Sequence, residues 1–150
     1  MRVVLQRVKE AQVAIEDACV SGIKSGLLIF VGIVDGDNQE DIDWLVGKIA
    51  RMRIFDDENG VMNRSVMDVN GEMLIVSQFT LHASTKKGNR PSYIKAAKPD
   101  VSIQLYEQFV MKLKTETGLI TQTGEFGAEM MVSLVNDGPV TIIIDSKNKE

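Results

Sequence analysis

The chain has 150 residues, 44% of them apolar, which suffices to close one core and is too short for two ordinary domains. A formal net charge of −4 argues against a protein that grips DNA or RNA along an extended phosphate track. With one cysteine, Cys19, and one histidine, His82, neither an intrachain disulfide nor a structural Cys/His zinc site is expected, and no metal or cofactor is called for.

The opening MRVVLQRVKEAQVAIED lacks the apolar run and small-residue cleavage site of a secretory signal, and no stretch approaches the ~20 apolar residues that span a bilayer. A soluble, cytoplasmic protein without membrane contact is expected. Val3 to Val8, then Val13 and Ile15, then Leu27 to Val34 read as strands, and LLIFVGIV is apolar on both faces, as a buried central strand is. Cys19 reads either as a reactive nucleophile or as a small residue in a half-buried strand. From Asp37 the period becomes helical, with Ile42, Leu45, Val46, Ile49 and Met52 on one face and Asp37 with Glu40 as a capping box. The helix is expected to end near Arg53, and Asp56, Asp57 and Glu58 fall in a hairpin turn.

Strand character returns over Met73 to Phe79 and passes into a polar loop through Pro91. His82 in that loop reads as a general base or as plain polar surface. A second helix starts at Pro99, presents Val101, Leu105, Phe109 and Leu113, and stops at Gly118. Strands are expected over 119–123, 128–135 and 140–144. The fold class that follows is mixed α/β, a strand-rich, rolled or barrel-like sheet with two main amphipathic helices packed outside, forming one domain over residues 1–145. The tail 146–150 has nothing to bury and is expected to fray.

Three segments carry chemistry. No acidic residue lies between Glu72 and Asp100, whereas Lys86, Lys87, Arg90, Lys95 and Lys98 do, so an acidic protein carries one basic strip. Ser77-Gln78-Phe79-Thr80 stands where a buried strand runs out, the place where backbone N–H groups polarise a carbonyl or where polar residues merely form a turn. Asn136-Asp137-Gly138-Pro139-Val140-Thr141 lies between two apolar runs, either as a hairpin connection or as a rigid turn that aims two carbonyl oxygens.

SQFT followed by LHASTKKGNRPSY, with GEFGAEMMVSLVNDGPVT, resembles the D-aminoacyl-tRNA deacylase family, whose motifs have the form SQxT and NxGPxT. The likeness extends to the MRVVLQRV start, the GLLIFVGI strand and the RIFDDENGVMNRSV segment. It implies a homodimer in which a cis Gly138-Pro139 turn enters the partner's active site and excludes L-amino acids by their side chains, leaving glycine unrejected. A steric wall suits this task, because one methylene in a pocket discriminates by only ~1–3 kcal/mol. The resemblance further implies catalysis at Ser77, Gln78, Phe79 and Thr80. The Phe79 N–H and Gln78 would polarise the ester, and the tRNA 2′-hydroxyl would assist water, with Thr80 as nucleophile the alternative. Lys86, Lys87 and Arg90 would meet acceptor-stem phosphates, and Phe126, Ala128 and Met130 the 3′-terminal adenosine. A non-catalytic binding module and a dimeric scaffold are the competing readings.

Overall fold

The computed structural model describes residues 1–149. Strand β1 (Arg2–Ile15) runs as one 14-residue strand and organises the sheet. It pairs antiparallel with β2 (Ala18–Ile23) through its second half and with β3 (Gly26–Gly32) through its first half. After helix α1 (Gln39–Arg51) comes a small hairpin, β4 (Phe55–Asp56) and β5 (Met62–Arg64). Its turn is built by Asp57, whose carboxylate accepts from the N–H groups of Asn59 and Val61, with Gly60 at φ +74°. Strand β6 (Glu72–Ser77) then lies parallel to β3, followed by helix α2 (Pro99–Thr117) and strand β7 (Thr121–Thr123) parallel to β6. Strand β8 (Met131–Asp145) returns antiparallel along the outer edge of β1.

The order β2-β1-β3-β6-β7, with β2 coming back against β6 and β7, rolls the sheet around an inner core. Val8, Val13, Leu28, Leu74 and Val76 fill the roll, while Leu5, Leu27, Ile29, Met73 and Ile75 face the helices and pack on Ile42, Leu45, Ile49 and Phe109. The expected fold class is the one found. The two-faced apolarity of β3 reflects these two cores, since alternate residues of one strand enter different ones.

Several expectations are corrected in detail. The helix α1 cap is one residue later than expected. Asn38 accepts from the Glu40 N–H, and Asp41 accepts from the Asn38 N–H, because the Asp37 carboxylate is already taken by the Val34 N–H at 2.8 Å and the Met1 ammonium at 2.5 Å. On α2 the buried face is Ser102, Tyr106, Phe109 and Leu113, with Val101 turned to solvent. Its rotation brings the Tyr106 hydroxyl to the Ile75 carbonyl, donating at 2.8 Å, and burial there raises the phenol pKa. Cys19 is exposed, rather than half-buried, on β2. The tail does not fray from its first residue: Ser146 is buried against Met1, and Lys147 reaches Asp41 at 2.7 Å. Burial would raise the Asp41 carboxyl, yet Lys147, Ser146 and the Asn38 N–H hold it at about 2. Glu150, the last residue of the expected tail, lies outside the described residues.

Candidate active site

Ser77 closes β6, in register with Val31 of β3, and the Gln78 N–H donates to the Val31 carbonyl at 2.8 Å as the last rung. The chain then tightens into a 3-10 turn, Phe79–His82, held by the Leu81 N–H on the Gln78 carbonyl and the Ala83 N–H on the Thr80 carbonyl. A turn that starts here leaves the N–H groups of Phe79 and Thr80 without an acceptor inside it. The Gln78 side-chain amide donates to Thr80 Oγ1 at 2.6 Å, so the two polar side chains of the segment hold each other.

This turn borders a cavity of about 260 Å³. Val31, Ile33 and Val76 form its floor, Ser77, Gln78 and Phe79 one wall, and Phe126, Ala128 and Met130 another, with Ala97 and Ser102 from the α2 side. Six residues expected at the site from sequence therefore converge on one apolar cleft with a polar rim. Thr80 does not line it and reaches it through Gln78. Lys86, Lys87 and Arg90 lie outside it, on an exposed loop closed by paired backbone bonds between Ser84 and Ser92.

His82 is buried rather than surface polar. Its ring lies beside Gly32, where a Cβ would come within 3.0 Å of it, and Nε2 has no hydrogen-bond partner among the described residues. Burial pushes the imidazole below its ordinary pKa, with Arg2 and the Met1 ammonium acting in the same direction.

The segment Asn136–Thr141 is neither a hairpin nor a break between strands. Strand β8 continues through it, but Gln6 pairs with Thr141 and Val8 with Asn136, so residues 137–140 bulge out opposite Arg7 alone. The Asn136 amide braces the bulge by donating to the Arg7 and Val140 carbonyls. Arg7, buried, donates from Nε to the Asp137 carbonyl at 3.0 Å and from Nη1 to the Ile54 carbonyl at 2.6 Å. At the crest the Gly138-Pro139 peptide is cis, and Gly138 has φ +146°, where a Cβ would meet Val140 at 2.8 Å. Gly138 and Pro139 are exposed, and neither borders the cavity of its own chain.

The family model described as D-Tyr-tRNA(Tyr) deacylase matches residues 4–145. This chain belongs to that family. Curated relatives named D-aminoacyl-tRNA deacylase include one from Flavobacterium johnsoniae, 65% identical over 150 residues and covering 100% of both chains. Another, from Bacteroides fragilis, is 63% identical with the same coverage. A solved structure titled c-Myc DNA Unwinding Element Binding Protein superimposes with a TM-score of 0.91 at 38% identity, covering 97% of this chain and 98% of that one. A structure titled as a probable eukaryotic D-amino acid tRNA deacylase has a TM-score of 0.81 at 19% identity and covers 95% of this chain and 97% of that one, a likeness of fold alone.

In this member of the deacylase family, sequence reasoning missed Arg7. Its signal was a cation inside the alternating apolar pattern of β1, where a buried charge needs partners that only the tertiary fold supplies. It also missed Ala97 and Ser102 as cavity residues, because they come from a separate segment. Among the described residues no group of three or more His, Cys, Asp or Glu side chains could hold a metal ion, and no helix is long and apolar enough to cross a membrane.

Proposed function

We propose that this chain hydrolyses the ester bond between a D-amino acid and the 3′-terminal adenosine of tRNA in the cytoplasm, releasing both, and that it works as a homodimer. The observation that carries this reading is a division of parts. The SQFT turn opens onto a cavity, while the exposed Gly138-Pro139 bulge sits on the free edge strand β8, away from the cavity of its own chain. A site completed by the bulge of a second copy reconciles the two. Exposed Met131, Val135 and Ile143 along β8 supply apolar surface for such a contact.

In that arrangement the adenine lies against Phe126, Ala128 and Met130, and Lys86, Lys87 and Arg90 meet acceptor-stem phosphates. The ester carbonyl points to the Phe79 N–H, and Gln78, anchored by Thr80, lines the same wall beside Ser77. Preorganised donors of this kind are worth about 2.7–4 kcal/mol each in the transition state. Water attacks with the 2′-hydroxyl of the terminal ribose as its aid. Thr80 is a poorer nucleophile, because its oxygen already accepts from Gln78 and the single histidine is buried against Gly32. The carbonyls of the partner's Gly138-Pro139 turn face the α-carbon and leave no space for an L side chain. Glycine has none, so glycyl-tRNA is a further substrate.

The test is a comparison of D-tyrosyl-tRNA, L-tyrosyl-tRNA and glycyl-tRNA with purified protein, alongside its mass by light scattering. Selective loss of the D- and glycyl esters by a species of twice the chain mass is expected. A binding module would retain both tyrosyl esters intact, and a scaffold would retain its function after Gln78→Ala.

A further inference from the structure

The chain beyond the 3-10 turn leaves the cavity rim and returns to it. Ser84 and Ser92 exchange backbone bonds of 2.8 and 2.9 Å, closing the loop that carries Lys86, Lys87 and Arg90. The return is then pinned, with the Ala96 N–H on the Tyr93 carbonyl and the Ala97 N–H on the carbonyl of Ile33, both at 2.9 Å. Ile33 and Ala97 are themselves cavity residues. Between the two pinned points stand Tyr93 and Ile94.

The Tyr93 ring meets Phe79 edge to face, with centroids 5.1 Å apart and planes at 75°. Phe79 is 56% exposed, Tyr93 40% and Ile94 88%, so three large apolar side chains face water beside the SQFT wall. On the same segment, Lys86, Lys87, Arg90, Lys95 and Lys98 form no ion pair among the described residues, and residues 73–99 contain no carboxylate side chain. Most other cations in the chain are not so left: Arg2, Arg7, Lys9, Arg51, Arg64, Lys112 and Lys147 all have carboxylate partners.

We propose, on the deacylase reading above, that Tyr93 and Ile94 with the outer face of Phe79 form a stacking platform for the unpaired nucleotides that precede the 3′-terminal adenosine. An aromatic surface that is anchored at both ends and flanked along the chain by cations with no ion pair among the described residues fits single-stranded nucleic acid, whose bases offer flat apolar faces and whose phosphates want the charge. An acidic peptide would use the cations and leave the rings idle. In the dimer proposed above, the second copy meets the adjoining cavity through its β8 bulge and not through its basic strip, since two such strips facing each other would repel. The platform adjoins the cavity through Phe79, which shares its ring with Tyr93 and its backbone with the site. A strand whose last nucleoside occupies the cavity therefore passes over it.

The experiment compares D-tyrosyl esters of adenosine, of the trinucleotide CCA and of complete tRNA, in the wild type and in Tyr93→Ala, Tyr93→Phe and Ile94→Ser. Tyr93→Ala is expected to lower the preference for the CCA ester over the adenosine ester, taken as a ratio of kcat/KM, by about 5- to 100-fold, the loss of one stacked base. The change falls in KM, and Tyr93→Phe restores it because the ring is kept. Ile94→Ser, at a side chain almost wholly in water, moves the ratio the same way but by less than Tyr93→Ala, since an aliphatic side chain offers a base no ring to stack on.

Equal losses on the adenosine and CCA esters would make Tyr93 a mere support for Phe79 and overturn the platform. A loss confined to complete tRNA would assign these residues to the duplex stem and overturn it as well, as would a Tyr93→Ala variant of altered oligomeric mass. A wild-type protein that cleaves none of the three esters would refute the deacylase reading itself.

Discussion

Replacing Arg7 by Met tests how the bulge is held. The methionine keeps most of the buried stem and removes the guanidinium, which is 8% exposed and donates to the carbonyls of Asp137 and Ile54 at 3.0 and 2.6 Å. Hydrogen bonds from a charged donor are worth about 1.5–3 kcal/mol each, and carbonyls left buried without a donor cost a similar amount. The contact with Asp56, at 3.2 Å to a half-exposed carboxylate, adds little. A loss of about 3–5 kcal/mol is expected, or roughly 10 °C in Tm for a domain of this size. Urea denaturation read at the midpoint, with an unchanged slope, measures it. The same variant should begin to cleave L-tyrosyl-tRNA, since the Asp137 carbonyl that Arg7 anchors precedes the excluding turn. Stability within about 0.5 kcal/mol of wild type would refute the energetic argument. A destabilised variant that still spares the L-ester would separate Arg7 from the control of chirality.

Gly138→Ala introduces a Cβ 2.8 Å from Val140 at a φ that L residues avoid, so it should cost about 1–3 kcal/mol and relax rejection of L-esters, checked by the ratio of D- to L-tyrosyl-tRNA hydrolysis. Phe79→Pro removes both the candidate oxyanion donor at the first position of the 3-10 turn and the ring that packs on Tyr93, so its kcat is read against Phe79→Ala, which loses the ring and keeps the N–H. The proline variant should lower kcat about 10²- to 10³-fold while circular dichroism stays native. Gly26→Ala sets a Cβ 1.8 Å from the Glu72 carbonyl oxygen and should destabilise by more than about 3 kcal/mol, seen as loss of soluble protein or a collapsed urea midpoint. The buried His82 stays neutral in the folded chain at pH values where the unfolded chain takes up a proton. Stability therefore falls as pH drops below the ordinary imidazole value of 6.5, and His82→Leu should flatten that dependence in urea titrations.

Local pattern carried much of the fold. The helical spacing of Ile42, Leu45, Val46 and Ile49 and the unbroken LLIFVG run each name an element without reference to anything distant, because periodicity records which faces are dry. The cap of α1 falls one residue beyond the Asp37 that local pattern favours, because Asp37 is engaged by the ammonium of Met1, 36 residues away. The buried face of α2 departs from its apolar spacing for the same kind of reason. Tyr106 outranks Val101 as a buried residue because a carbonyl of β6 is there to receive its hydroxyl.

Sequence alone determined the mixed α/β class, and short-range chemistry put the SQFT segment at a strand end and a Gly-Pro turn between two apolar runs, while Phe126, Ala128 and Met130 entered only through the family resemblance and line the same cavity as Ser77, Gln78 and Phe79. The tertiary structure decided that residues 136–141 are a bulge in a continuous strand, that Arg7 fastens it, that His82 is buried, and that Tyr93 returns to Phe79. All four depend on pairings between segments far apart in the chain. The register of β8 against β1 is set by the whole sheet, and a charged or polar side chain declares its role only when the groups that neutralise it come within hydrogen-bond reach.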